Sequence, residues 1–182
     1  MAGIGGFESG RFKMPLLRES HAVRLFPAFR DPKLYRWISM RPPDTPEDLV
    51  RWWWCSGDNG PGECEGQLNF DWVIMRRDNG TLVGKLDAEF APSGVVTNLG
   101  YIIDRRFWNR RYATEAVAAL LEEVERHGFG EQRAYVTQGN MASVRVLERL
   151  AFRRKRILRA NDTIRGVAVD DIEFIRHGAP AA

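Results

Sequence analysis

Four arginines and an asparagine stand between a strand-like run and a helix-like run in "NLGYIIDRRFWNRRYATEAVAALL". The first turn of a helix carries unpaired N–H groups and the positive end of the helix dipole. A strand, a tight loop and a helix start together therefore form an anion site suited to phosphate. Arg105, Arg106, Arg110 and Arg111 crowd this junction, where a solvated basic turn would carry the same residues. Asn140 and Ser143 form a second constellation, one turn apart at the start of another helical run; plain capping accounts for them equally well. Asp87 and Glu89 form a third, two carboxylates that a strand's period of two puts on one face.

Other chemistry finds less support. His21, His127 and His177 are too dispersed to suggest a metal site, and Cys55 and Cys64 share a Gly-rich loop without metal-ligand or redox spacing. Net charge is +3 with 28% charged residues, a small Arg excess over a mixed surface that suits a polyanionic small ligand better than nucleic acid. No apolar run approaches the roughly 20 residues of a membrane span, and "MAGIGGFESGRFKM" lacks the hydrophobic segment of a secretory signal. A soluble, cytoplasmic protein is expected.

The elements that must position these groups follow from periodicity. The 182 residues, 44% hydrophobic, suit one domain with one substantial core. His21 to Trp37 reads as two short helices interrupted by Pro27 and Pro32, and Thr45-Pro46-Glu47-Asp48 opens a helix running to about Trp54. Adjacent helical positions point about 100° apart, so Trp52, Trp53 and Trp54 cannot share one core face, and one of them should line a cleft, a loop or a partner surface. "SGDNGPGECEGQLN" reads as a long flexible loop. "FDWVIMRR", the Asn79-Gly80 turn, "TLVGKLDAEFA" and "VVTNLGYIID" predict an antiparallel meander. From Tyr112, apolar residues at spacings of three and four predict a helix that ends near Gly128. The strand "RAYVT", a helix capped by Asn140 and two strand-like runs complete an α/β (α+β) domain with a mixed sheet.

The pattern "LGYIID…FWNRRYATEAVAALL", followed by Asn140-x-x-Ser143 and "VLERLAF", resembles the GNAT superfamily of acyl-CoA-dependent N-acyltransferases. The likeness is to the RimJ/RimL-like branch, which includes ribosomal-protein N-terminal acetyltransferases, and it extends from about Met14 to Ile175. It implies a GNAT-like domain over 14–176, a mostly antiparallel twisted sheet flanked by helices with splayed central strands; the Gly-rich composition of 1–13 and the small residues of the tail over 177–182 suggest flexible ends, loose or only locally docked. The strand holding Ile102 and Ile103 would pair with the pantetheine arm, and its backbone donors would polarise the thioester carbonyl. Asn109, Arg110, Arg111, Tyr112, Ala113 and Thr114 would supply N–H groups to the pyrophosphate. Asn140 would hold the pantetheine, and Ser143 would protonate the departing thiolate.

This sequence departs from the family pattern at Asn109 and Arg111, where glycines belong, at Ala151, another glycine position, at Phe174, where Tyr is frequent, and at Asn98, where relatives often carry a Glu that helps deprotonate the amine. Glu89 is then the candidate base, with Asp87 beside it. The expected function is N-acyl transfer, with acetyl-CoA as donor and no metal, to a primary amine of a protein N-terminus or a small molecule. Two alternatives stay open: a non-catalytic module left by a crowded loop, or an enzyme using another donor such as succinyl-CoA. An acyl-CoA and an amine acceptor are the expected partners, without membrane or nucleic acid; a homodimer is allowed.

Overall fold

Phe70, Trp72 and Ile74 alternate with Asp71, Val73 and Met75 along one strand, and this period of two decides which groups reach each side of the sheet. The computed structural model describes residues 4–53, 62–64 and 67–178. Strands β1 (Phe7–Glu8) and β2 (Phe12–Met14) lead into helix α1 (Glu19–Phe29), a 3-10 turn at Pro32–Tyr35 and helix α2 (Pro46–Trp53). Strands β3 (Gly62–Cys64), β4 (Gln67–Arg76), β5 (Leu82–Ala91) and β6 (Val95–Ile103) follow. Helix α3 (Tyr112–Arg126), strand β7 (Glu131–Thr137), helix α4 (Met141–Arg149) and strands β8 (Arg153–Ile164) and β9 (Val167–His177) complete the chain. They form one sheet in the order β1-β2-β4-β5-β6-β7-β9-β8, with β3 also on β4.

Apolar side chains from the two faces of the sheet build two cores. Trp72, Ile74, Leu86 and Ala88 join Ala116, Val117, Leu120 and Val124 of α3 and Val144 and Leu147 of α4. Val73 and Leu82 join Ala22, Leu25 and Phe29 of α1 and Leu49 and Trp53 of α2. The start of α2 is fixed reciprocally: Asp48 N–H donates to Thr45 Oγ1 at 3.1 Å, and Thr45 N–H donates to Asp48 Oδ2 at 3.0 Å.

The meander β4–β5–β6 is antiparallel throughout, as the alternation predicts. Strands β6 and β7 run parallel and pair only at Val95 with Glu131 and Val96 with Gln132. Beyond that contact they part, while β7 stays paired with β9 over its whole length. This is the expected splay, and it leaves one flank of β6 open from Asn98 to Ile103.

The Gly-rich start is better held than its composition suggests. β1 pairs with β2, β2 pairs with β4, and Phe7 and Phe12 are buried, so from Ile4 onward this segment forms a docked hairpin. At the other end, His177 still belongs to β9, paired with Glu131, and the tail beyond Gly178 lies outside the described residues. Trp54 and Cys55 also lie outside them, as does much of the loop expected over 56–69, in which Gly62–Cys64 forms a strand and Gln67 already begins β4.

Candidate active site

The open flank of β6 forms one wall of a cleft of about 1350 Å³. Of the site residues expected from the sequence, Glu89, Ile102, Ile103, Asn109, Arg111, Tyr112, Ala113, Thr114, Asn140 and Ser143 all line it; Arg110 does not. Asp104 N–H donates to Val83 C=O at 2.9 Å, so by the period of two Ile102 also spends its backbone groups on β5. The backbone groups of Ile103 and Tyr101 turn toward the gap. Trp108 Nε1–H caps the Ile103 carbonyl at 2.8 Å. Of the two isoleucines expected to offer backbone donors, Ile103 faces the gap and Ile102 does not; Tyr101 takes the second place.

The loop between β6 and α3 retains the backbone that glycines would give it. Asn109 has φ 60° and Arg111 has φ 59° with ψ 21°, both left-handed. An L-residue with a Cβ adopts this region at a cost of roughly 1–2 kcal/mol, with Asn among the more tolerant. The four arginines do not converge as expected. Arg105 Nε donates to Asp31 Oδ2 at 2.6 Å, and Arg106 Nε donates to Asp104 Oδ2 at 2.8 Å. Arg110 lies over the Phe107 ring, 5.9 Å from its centroid. Arg111 alone of the four both lines the cleft and lacks an ion pair among the described residues. The third glycine position behaves likewise: Ala151 has φ 65° after α4.

At the start of α4, Asn140 Oδ1 accepts from Ser143 N–H at 3.3 Å, so the cap brings both residues to the cleft wall. Tyr101 sits beside Ser143. Burial pushes its hydroxyl up to about 12, an effect the Ser143 side chain partly offsets. The hydroxyl oxygen is buried and lacks a hydrogen bond of ordinary geometry. Nothing in "LGYIID" singled Tyr101 out; its place two residues before Ile103 was the available signal.

The carboxylates gather on the α1/α2 side of the sheet. Glu89 Oε1 accepts from Asn98 Nδ2 at 3.2 Å across β5 and β6. Asp87 faces Asp71 in register, and Lys85 Nζ bonds Asp71 Oδ1 and lies 3.3 Å from Asp87 Oδ1. Burial pushes the Asp87 carboxyl above the ordinary carboxylate range; Lys85 opposes this and Asp71 adds to it. About a third of the Asp87 side chain still meets solvent, which tempers the effect. Burial works against the charge on Lys85, yet Asp71 and Asp87 outweigh it and hold the ammonium above its usual value. Trp53 covers that ammonium, its ring centroid 5.3 Å away, and half-buried Trp52 lines the cleft beside it.

Comparison with known proteins agrees with this geometry. The family model described as an acetyltransferase (GNAT) domain matches residues 11–153. The Bacillus subtilis protein YkkB is 29% identical over 91 residues, covering 48% of this chain and 53% of its own length, so the match spans about half of that relative. A probable GNAT acetyltransferase from Chromobacterium violaceum superposes with a TM-score of 0.82 at 18% identity, covering 97% of this chain and 87% of its own. RimL, a ribosomal L7/L12 alpha-N-protein acetyltransferase solved with coenzyme A, superposes with a TM-score of 0.76 at 18% identity, covering 95% and 98%. Splayed strands, the loop at the mouth of their gap and the match of the family model together establish that this chain belongs to the GNAT acetyltransferase family.

Proposed function

We propose that the protein is an acetyl-CoA-dependent N-acetyltransferase of the RimJ/RimL-like branch that acylates a primary amine of a protein N-terminus or a small molecule by direct attack. The observation that carries this reading is the left-handed pair Asn109 and Arg111 at the mouth of the β6–β7 gap. Despite its side chains, the loop keeps the backbone that aims N–H groups at a pyrophosphate. The coenzyme A bound by RimL, similar in fold, supports the same donor here. A crowded, non-catalytic loop would have been expected to abandon that backbone.

In this reading the N–H groups of residues 111–114 hold the pyrophosphate, Arg111 adds charge, and the gap-facing backbone of Tyr101 and Ile103 holds the pantetheine and polarises the thioester carbonyl. The neutral amine attacks that carbonyl. Asp87 is the better base, because burial raises its affinity for a proton, while Glu89, held by Asn98, orients the amine. As the carbon–sulfur bond breaks, Ser143 passes a proton to the thiolate, with the Tyr101 hydroxyl supporting it.

Calorimetry with acetyl-CoA, succinyl-CoA and free CoA, on the wild type and on Arg111→Gly, tests the reading. Micromolar binding of acetyl-CoA by the wild type and release of free thiol with an amine panel are expected. Binding seen only in Arg111→Gly would return the protein to the non-catalytic class, and a preference for succinyl-CoA would change the donor.

A further inference from the structure

We propose that the N-terminal hairpin braces the glycine-free loop and that Arg11 is its positioning residue; this rests on the reading of the loop as the pyrophosphate site. The problem the brace answers is local. With glycines absent at 109 and 111, two left-handed residues flank Arg110, and each is less stable there than in ordinary backbone. Rotating the peptide between Arg110 and Arg111 would relieve Arg111, because the φ of Arg111 and the direction of the Arg110 carbonyl belong to the same plane.

Arg11 opposes that rotation. Its Nη1 donates to the Arg110 carbonyl at 3.3 Å. In a trans peptide the N–H of Arg111 points opposite to this carbonyl, so fixing one fixes the aim of the other. Arg11 is itself held from both sides. Its Nε donates to Glu115 Oε2 at 2.5 Å, and its backbone N–H donates to Glu115 Oε1 at 2.8 Å. Ser9 Oγ donates to that same oxygen at 2.8 Å. The guanidinium lies 4.6 Å from the centroid of Tyr112, and Phe12 meets that ring edge-on at 4.8 Å. One side chain from the start of the chain thus touches residues 110, 112 and 115, on both sides of Arg111. The conformation that glycine would supply locally is supplied by a contact about a hundred residues away in sequence.

The brace predicts coupling rather than a simple loss. Arg11→Ala weakens acetyl-CoA binding about tenfold in the natural loop and less than twofold in the Asn109→Gly/Arg111→Gly background, where the left-handed backbone no longer needs support. Arg11→Lys, which keeps the charge but loses the fork, falls between. Equal losses in both backgrounds would make Arg11 an ordinary contact and overturn the proposal. A readout without ligand separates this from the function itself: amide exchange at 110–113 quickens in Arg11→Ala while the thermal midpoint stays within a few degrees. If the wild type binds no acyl-CoA, the functional reading fails and exchange alone decides the brace: unchanged exchange at these amides overturns it.

Discussion

Asp87 and Gly100 face each other across β5 and β6, and a Cβ on residue 100 would lie 2.2 Å from Asp87 Oδ2. The bare backbone at 100 is the seat of the carboxylate assigned here as base. Gly100→Ala is expected to displace it and to lower kcat about a hundredfold, the lower end of what a positioned base contributes, with the KM for acetyl-CoA little changed. Adding Gly100→Ala to Asp87→Asn should then cost little more. Steady-state kinetics on the three variants decide this: full turnover in Asp87→Asn would move the role to Glu89, for which Glu89→Gln is the next variant.

The hydroxyl of Tyr101 has no partner of ordinary geometry in the protein alone, so removing it should separate stability from activity. Tyr101→Phe keeps the ring and relieves an unsatisfied buried group, whose penalty is about 1–3 kcal/mol, so the thermal midpoint should hold or rise. Turnover should fall about tenfold, as one lost hydrogen bond to the departing group implies. Ser143→Ala should lower turnover further with acetyl-CoA affinity unchanged; full activity in both variants would remove this corner of the cleft from the mechanism.

Glu115 carries a pH signature. Burial raises its carboxyl, but the backbone N–H of Arg11, the Ser9 hydroxyl and the Arg11 guanidinium outweigh burial and hold it below its ordinary 4.5. A depressed folded value stabilises the native state above the unfolded value and loses that stabilisation as pH falls through the folded one. The stability gap between wild type and Glu115→Gln is therefore widest above about pH 4.5 and closes in acid, as urea denaturation at a series of pH values will measure.

Ala151 offers the plainest gain. Glycine is free to adopt the φ of 65° found there, and after subtracting its greater freedom in the unfolded chain Ala151→Gly should stabilise the protein by about 0.5–1 kcal/mol. The change should appear as a higher denaturation midpoint with an unaltered slope. A lower midpoint would mean that the Ala151 methyl makes packing contacts worth more than the strain.

What the sequence revealed was local. Helix α3 begins at Tyr112 and the Asn79-Gly80 turn joins two strands because periodicity and turn chemistry are written into consecutive residues. The capping of α4 by Asn140 was legible for the same reason. What stayed hidden depends on partners distant along the chain. The glycines around Phe7 and Phe12 suggest slack, and nothing nearby reveals that β2 lies against β4. Arg105 and Arg106 look like anion ligands until Asp31 and Asp104 are found beside them. The sign of φ at Arg111 and Ala151 was hidden as well, since residue type argued against it; at Ala151 it follows from the bonds that close α4, Ala151 N–H to Glu148 C=O and Phe152 N–H to Leu147 C=O.

The gap between β6 and β7 also bears on self-association. Sheets usually expose unpaired backbone at their rims, where another chain can add a strand. Here a long run of unpaired backbone lies in the interior, because the two parallel strands touch over only two residue pairs. Helices α3 and α4 start beside that inner rim and wall it into the cleft. A slender, flexible guest that can pair with a strand while remaining narrower than one would fit, whereas a folded neighbour's edge is kept out. The recess thus works as a filter on width, excluding unwanted sheet growth from the middle of the molecule without the lysines or prolines that outer strands commonly need.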